Sequence, residues 1–280
     1  MIRHEATGLD VEQQTTTFEN AWNATLGTDR DENVFLKRKN WEELLVPLPG
    51  FERSSWAYAM TYRDHQKEVR QEKIFFFEKS GLAEGAWLPI RHRAMLDYEA
   101  EIALLLHRQE PDRFGFLFAN DLTDRAVQLR TFNRRNPAPG FTEAKSFPGA
   151  LRVGPLLVIG SHELWPKLEV ELWMNGGFCQ RVNARECLLT PRDFHRQIFA
   201  RDVAKEWALV ASGTTGGTIF RSPGSREKLW LLIKNGFSIR RAREDWLRRF
   251  HFLEVGDRLE MKSEVLGTSY ATIVATTEQY

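Results

Sequence analysis

Three carboxylates, Asp97, Glu99 and Glu101, stand at alternating positions at the head of the apolar run Ile102–Leu106. The stretch 96–106 holds no Gly or Pro and reads as one strand. Alternate side chains of a strand share a face, so the three carboxylates point the same way. Ionised carboxylates in a row repel one another, and burying them without partners is costly. A divalent cation removes both problems, because hard cations take oxygen donors. This makes Glu99 and Glu101 metal-ligand candidates. The competing reading is a solvated edge strand with acidic decoration, and these residues alone leave both open. Asp121 ends the apolar run Phe114–Ala119 and is a third ligand candidate; its other role would be to cap the turn or helix that follows. On such a helix Arg125 and Gln128 share its face.

Other residues offer acid–base or anion chemistry. His65 and Glu68 lie three apart, so one helical turn puts them on one face. The carboxylate would orient the ring and raise its basicity, making a general base; an exposed helix with the two as chance neighbours is the plainer alternative. Lys145 sits between Ala144 and Ser146, ahead of the apolar strand Leu156–Ile159. There its charge would neutralise an anionic substrate, or simply face solvent. Ser212-Gly213-Thr214-Thr215-Gly216-Gly217-Thr218 follows the strand Trp207–Val210. Its backbone N–H groups and hydroxyls suit an anion. It lacks the Lys-Ser/Thr ending of a P-loop, and a glycine turn without a ligand has the same composition.

The elements that must position these residues are mostly short strands. Ser55–Met60 and Ile74–Phe77 read as strands, the second one buried. Leu168–Trp173 alternates and runs into Asn175-Gly176, a strong hairpin signal. Strands at 258–265 and 270–274 close the chain. The spacing predicts helices around Phe194–Phe199 and over 225–250. The second is rich in arginine (Arg240, Arg241, Arg243, Arg248, Arg249), but Glu244 and Asp245 interrupt the patch. A solvated amphipathic helix fits it better than a nucleic-acid surface. The Pro- and Gly-rich stretch 131–142 predicts a loop. Nearer the N-terminus, 9–27 reads as a polar helix with a weak apolar stripe through Val11, Phe18, Trp22 and Leu26, and 41–45 as a short helix.

A chain of 280 residues fits one large domain, or one domain plus an extension. Charged residues are 28% and hydrophobic residues 42%, ordinary for a globular protein. The net charge of +1 provides no overall field for nucleic acid or an anionic membrane. No run is long enough to span a bilayer, and Met1–Glu5 lacks a signal-peptide core. Cys179 and Cys187 lack zinc spacing and predict reduced thiols. These features lead us to expect a cytoplasmic protein with no membrane or nucleic-acid partner.

Taken in order, the motifs resemble the fumarylacetoacetate hydrolase family from about Tyr58 to Val274. Tyr62-Arg63-Asp64-His65-Gln66-Lys67-Glu68 is similar to the family's lid segment, and Asp97-Tyr98-Glu99-Ala100-Glu101 to its metal strand. Ala119–Arg125 with Gln128, Ala144-Lys145-Ser146-Phe147, Asn175-Gly176, Ser212-Gly213-Thr214, Val255-Gly256-Asp257 and Leu266-Gly267-Thr268 match further positions in the same order. There are departures. The glycine turn reads Gly-Thr-Thr-Gly-Gly where Gly-Thr-Pro-Ala-Gly is commoner, and both 129–142 and 221–250 are longer than usual.

The resemblance implies an α+β, mainly β fold, a mixed β-sandwich or β-roll with peripheral helices. It divides the chain into an N-terminal extension, 1–54, and a catalytic domain, 55–280, with a helical insertion at 221–250. It implies one Mg²⁺ or Mn²⁺ on Glu99, Glu101 and Asp121. Lys145 would hold substrate oxygens and stabilise an enolate. Tyr62, Arg125, Gln128, Gly213 and Thr214 would bind substrate, and His65 with Glu68 on a closing lid would activate water. The implied reaction is hydrolysis of a C–C bond in a 2,4-dioxo acid such as an acylpyruvate, by a homodimer. A 2-oxo acid hydratase or dehydratase, a decarboxylase, a tautomerase, and a non-catalytic 2-oxo acid binder are the alternatives.

Overall fold

The computed structural model describes residues 34–37, 54–69, 72–80, 84–85 and 90–275, apart from 132, 134, 135, 155, 222 and 223. The helices expected at 9–27 and 41–45 lie outside the described residues. In chain order the elements are β1 (Val34–Lys37), β2 (Ser54–Ala59), α1 (Arg63–Val69), β3 (Phe75–Ser80), β4 (Glu84–Gly85), β5 (Ile90–Arg91), β6 (Leu96–Asp97), β7 (Ala100–His107), β8 (Arg113–Asp121) and β9 (Thr123–Asp124). They continue with α2 (Arg125–Thr131), α3 (Ala138–Ala144), β10 (Leu151–Val153), β11 (Leu156–Ser161), β12 (Glu169–Met174), β13 (Gly177–Asn183), α4 (Pro191–Ala200), β14 (Trp207–Ala211), α5 (Ser225–Lys234), α6 (Ile239–Leu247), β15 (Arg258–Ser263) and β16 (Gly267–Val274).

The main sheet runs β1-β11-β8-β7-β14-β2-β3, with β10 joined to the end of β8 and β4 joined to β10. Because β4 follows β3 in the chain, this last pairing curls the sheet back on itself. The alternation of β7 therefore has two apolar destinations. Ile102, Leu104 and Leu106 join Phe116, Phe118 and Phe194 in a core that also takes Leu172, Leu259 and Ile273 from the second sheet, β13-β12-β15-β16-β5. Ala103 and Leu105 face the inside of the curl with Phe75, Phe77, Leu117 and Leu209. Each large apolar side chain so buried contributes about 1.5–3 kcal/mol. The fold is α+β and mainly β, as expected.

Three local expectations meet a different outcome. The single strand at 96–106 is broken: β6 pairs with β9, Tyr98 and Glu99 belong to no strand, and β7 starts at Ala100. The break separates Asp97 from Glu99 and Glu101 and lets it accept hydrogen bonds from the Ile219 and Phe220 N–H groups at 2.9 and 3.1 Å. The loop expected at 131–142 ends in α3, because Pro137 and Pro139 sit at the start of a helix, where no N–H is needed. The helix expected over 225–250 is a hairpin of α5 and α6. Gly236 and Phe237, both left-handed, turn the chain, and Ser238 caps α6. Val34–Lys37, within the segment read as an extension, forms an edge strand of the main sheet, with Val34 opposite Ile159. Among the described residues no helix is long and apolar enough to cross a membrane.

Candidate metal centre and active site

Antiparallel pairing of β7 with β8 builds the centre. Glu101 lies opposite Ala119, and one step back the Asp121 N–H donates to the Glu99 carbonyl at 2.9 Å. Asp121 is thus the cross-strand neighbour of Glu99 and diagonal to Glu101, on the inner face of the curled sheet. One carboxylate oxygen from each of the three lies within 4.8 Å of the others, and all three residues are buried. Like charges so placed repel, and three cations answer them. Lys145 Nζ donates to Glu99 Oε2 and Asp121 Oδ2 at 2.6 Å each. Arg125 donates to Glu99 Oε1 and Asp97 Oδ2 at 2.7 Å each. Lys79 Nζ donates to Asp121 Oδ1.

The three carboxylates are not equivalent. Burial pushes the Glu99 carboxyl up, but the charges of Lys145, Arg125 and His65 outweigh it and hold it at about 2. Burial and the Asp121 charge push Glu101 well above the ordinary carboxylate range, against the pull of Lys145. Glu101 accepts the Gly213 N–H at 2.9 Å and makes no ion pair among the described residues. Burial works against the Lys145 ammonium, yet Asp121, Glu99 and Glu101 raise its pKa above the usual lysine value. At Lys79 burial wins over Asp121, with Lys145 adding to it, and the pKa is lowered. A hard divalent cation fits this donor set: three carboxylates, no thiol, and Glu101 short of a positive partner.

The glycine turn closes one side. Gly213 has φ +93°, and a Cβ there would collide with Thr61 Oγ1, so only glycine brings the backbone up to Glu101. Thr214 Oγ1 donates to the Ala100 carbonyl at 2.7 Å and is fixed by Gln180 Nε2 at 3.1 Å. On α1, His65 Nδ1 lies 3.4 Å from Glu68 Oε2, and both share the helix face expected of them. A Cβ on Gly216 would stand 3.3 Å from Glu68 Oε2, so α1 rests on the glycine turn. The Tyr62 hydroxyl is buried, and burial and the neighbouring Cys187 push its pKa well up. Gln128 Oε1 accepts from Arg125 Nη1 at 2.8 Å, which orients the guanidinium.

Two members of the site, Lys79 and Gln180, were not singled out in the sequence, and Asp97, which was, has a different place from the one expected. Lys79 follows Phe75 and Phe77 on the inward face of β3. Had the strand been continued past Phe77, strict alternation would have placed a lysine inside. Asp97 binds Arg125 rather than joining the other carboxylates. Gln180 joins the Ala100 N–H at 2.9 Å to Thr214, tying β13, β7 and the glycine turn together. No local signal marks it.

Residues 54–274 match the family described as "Fumarylacetoacetate (FAA) hydrolase C-terminal". The chain belongs to this family. Solved structures share the fold at low identity. Fumarylpyruvate hydrolase from Pseudomonas aeruginosa, in complex with Mn²⁺ and pyruvate, is 17% identical, with a TM-score of 0.55 over 80% of this chain and 91% of that one. Fumarylacetoacetate hydrolase from Exiguobacterium antarcticum is 21% identical, with a TM-score of 0.56 over 80% and 76%. The 2-hydroxyhepta-2,4-diene-1,7-dioate isomerase from Mycobacterium marinum is 18% identical, with a TM-score of 0.56 over 82% and 77%. No curated protein matches the chain.

Proposed function

We propose that this protein is a divalent-metal-dependent hydrolase that cleaves a C–C bond in a 2,4-dioxo acid of the acylpyruvate type. The reading rests on the three buried carboxylates gathered around Lys145, with a His–Glu pair on the helix beside them. Glu99, Glu101 and Asp121 would hold the cation, Mg²⁺ or Mn²⁺, which would supply a binding site for the substrate's carboxylate and 2-oxo oxygens and a sink for negative charge. His65, steadied by Glu68, takes a proton from water, and the hydroxide adds to the distal carbonyl carbon. The bond from that carbon to the methylene then breaks, and its electron pair forms the enolate of pyruvate. Lys145 stabilises the developing charge at the enolate oxygen. Proton return to the methylene gives pyruvate and a carboxylic acid. Arg125, oriented by Gln128, with Tyr62, Gly213 and Thr214, would shape the pocket.

The isomerase among the structural neighbours favours a second reading: an isomerase or a 2-oxo acid hydratase using the same enolate chemistry. An acylpyruvate panel separates the two. Turnover is followed by loss of enol absorbance and by pyruvate release, with Mg²⁺, with Mn²⁺ and with EDTA. Ion-dependent pyruvate release that Glu99→Ala and His65→Ala abolish is the expected result. Ion binding with enol consumption but no pyruvate would select the second reading, and absence of ion binding would refute both.

A further inference from the structure

The helical hairpin of α5 and α6 leaves an apolar face uncovered. Leu229, Trp230 and Ile233 on α5 are 57, 51 and 57% exposed, and Phe237 and Ile239 just beyond are 71 and 77% exposed. Residues 229, 230 and 233 share one side of the helix. Single exposed apolar residues are ordinary, but a contiguous set marks a contact surface. The surrounding residues are basic. From Arg221 to Arg249 the sequence has nine basic and three acidic residues, a net +6 in a chain whose total is +1. The three acids are already taken, in the pairs Arg221–Glu227, Lys234–Asp245 and Arg240–Glu244. Arg226, Lys228, Arg241 and Arg248 are exposed and make no ion pair among the described residues. The face therefore suits an occupant both apolar and acidic. The same face of a second copy does not qualify, since a symmetric contact would set +6 against +6.

The chain itself carries such an occupant. Residues 1–32 hold seven acidic and two basic residues, a net −5. Within them Val11, Phe18, Trp22 and Leu26 recur at helical spacing. We propose that residues 9–27 dock on the α5–α6 hairpin of their own chain, the stripe of Phe18 and Trp22 against Leu229, Trp230 and Ile233, and the acids against the unpaired cations. Docking would brace the hairpin. The stretch leading into it supplies the Ile219 and Phe220 N–H groups that hold Asp97, and Asp97 in turn holds Arg125 beside Glu99.

Hydrogen exchange on the full chain tests this, comparing wild type with Trp22→Asp and Ile233→Asp, one change on each side of the proposed contact. The expected result is slow exchange over 11–26 and 226–239 in the wild type, at least tenfold faster over both stretches in either variant, and weakened protection in high salt. Exchange of 11–26 at unstructured-peptide rates in the wild type would overturn the proposal, as would slow exchange there that Ile233→Asp leaves unchanged. So would flotation with phosphatidylserine vesicles that Ile233→Asp abolishes and Trp22→Asp does not, which would make the face a membrane contact. A light-scattering mass that halves in Trp22→Asp would show the segment docking on a second copy, and would overturn docking within the chain.

Discussion

The Arg125 and Arg240 guanidiniums hold carboxylates at similar range, 2.7 Å from Glu99 and 3.0 Å from Glu244. Their surroundings differ. Arg125 is buried in a cluster where Asp97, Glu99 and Asp121 share three cations and Glu101 has none. Arg240 stands on a solvated helix with its side chain 89% exposed. In water, screening and side-chain entropy consume most of the attraction. Buried ions depend on one another for the solvation that burial removes, so taking away one member strands its partners. The arrangement of the site is therefore collective, whereas the ion pairs of the hairpin are interchangeable.

The sharpest way to break this comparison is Arg125→Met. It strands Asp97 and Glu99, and should cost about 3–5 kcal/mol of stability, read from urea unfolding without added metal. Loss of less than a tenth of that would mean water enters the pocket. Next comes His65→Ala, which under the proposed mechanism lowers kcat by roughly 10²–10⁴-fold with KM little changed. A fall in KM affinity with kcat intact would assign His65 to binding instead.

Glu101→Gln should act in the opposite sense on stability. The Glu101 carboxyl is raised by burial, so the metal-free folded chain binds a proton that the unfolded chain releases. That contribution favours folding fully below the ordinary carboxylate pKa and is lost as pH rises through the raised one. The variant should thus be more stable than metal-free wild type at pH 8, by on the order of 1–3 kcal/mol, with the gap closing toward pH 4. Divalent-ion binding, followed by calorimetry, should weaken sharply. A gap independent of pH would show that Glu101 does not carry the uncompensated charge. Smallest of all, Arg240→Ala should leave the unfolding midpoint unmoved within error. A clear shift there would mean that the hairpin's ion pairs are less exposed than their geometry implies.

The residues legible in the sequence were those whose role is announced within a few positions. Glu99 and Glu101 precede an apolar strand, Asp121 ends one, His65 and Glu68 share a helical turn, and Lys145 stands among small residues before a strand. Lys79 and Gln180 were not legible for the opposite reason. Lys79 meets Asp121 across 42 positions and Gln180 meets Ala100 across 80, so only the curling of the main sheet gives the first its partner and only the packing of the second sheet on it gives the other. The broken strand at Tyr98–Glu99 was hidden too, because an alternating pattern carries no mark of a bend made by pairing with β9.

The sequence by itself determined the mainly β character, the carboxylate set and the family, since alternation, turn residues and motif order are properties of neighbours along the chain. Only the tertiary structure decided which charges are shared. It joined Lys79 and Lys145 to Asp121, diverted Asp97 to Arg125, and left Glu101 with a backbone N–H in place of a cation. The reason is that the strength of a charge depends on the water removed around it and on what faces it across the fold, and neither is written in the spacing of residues.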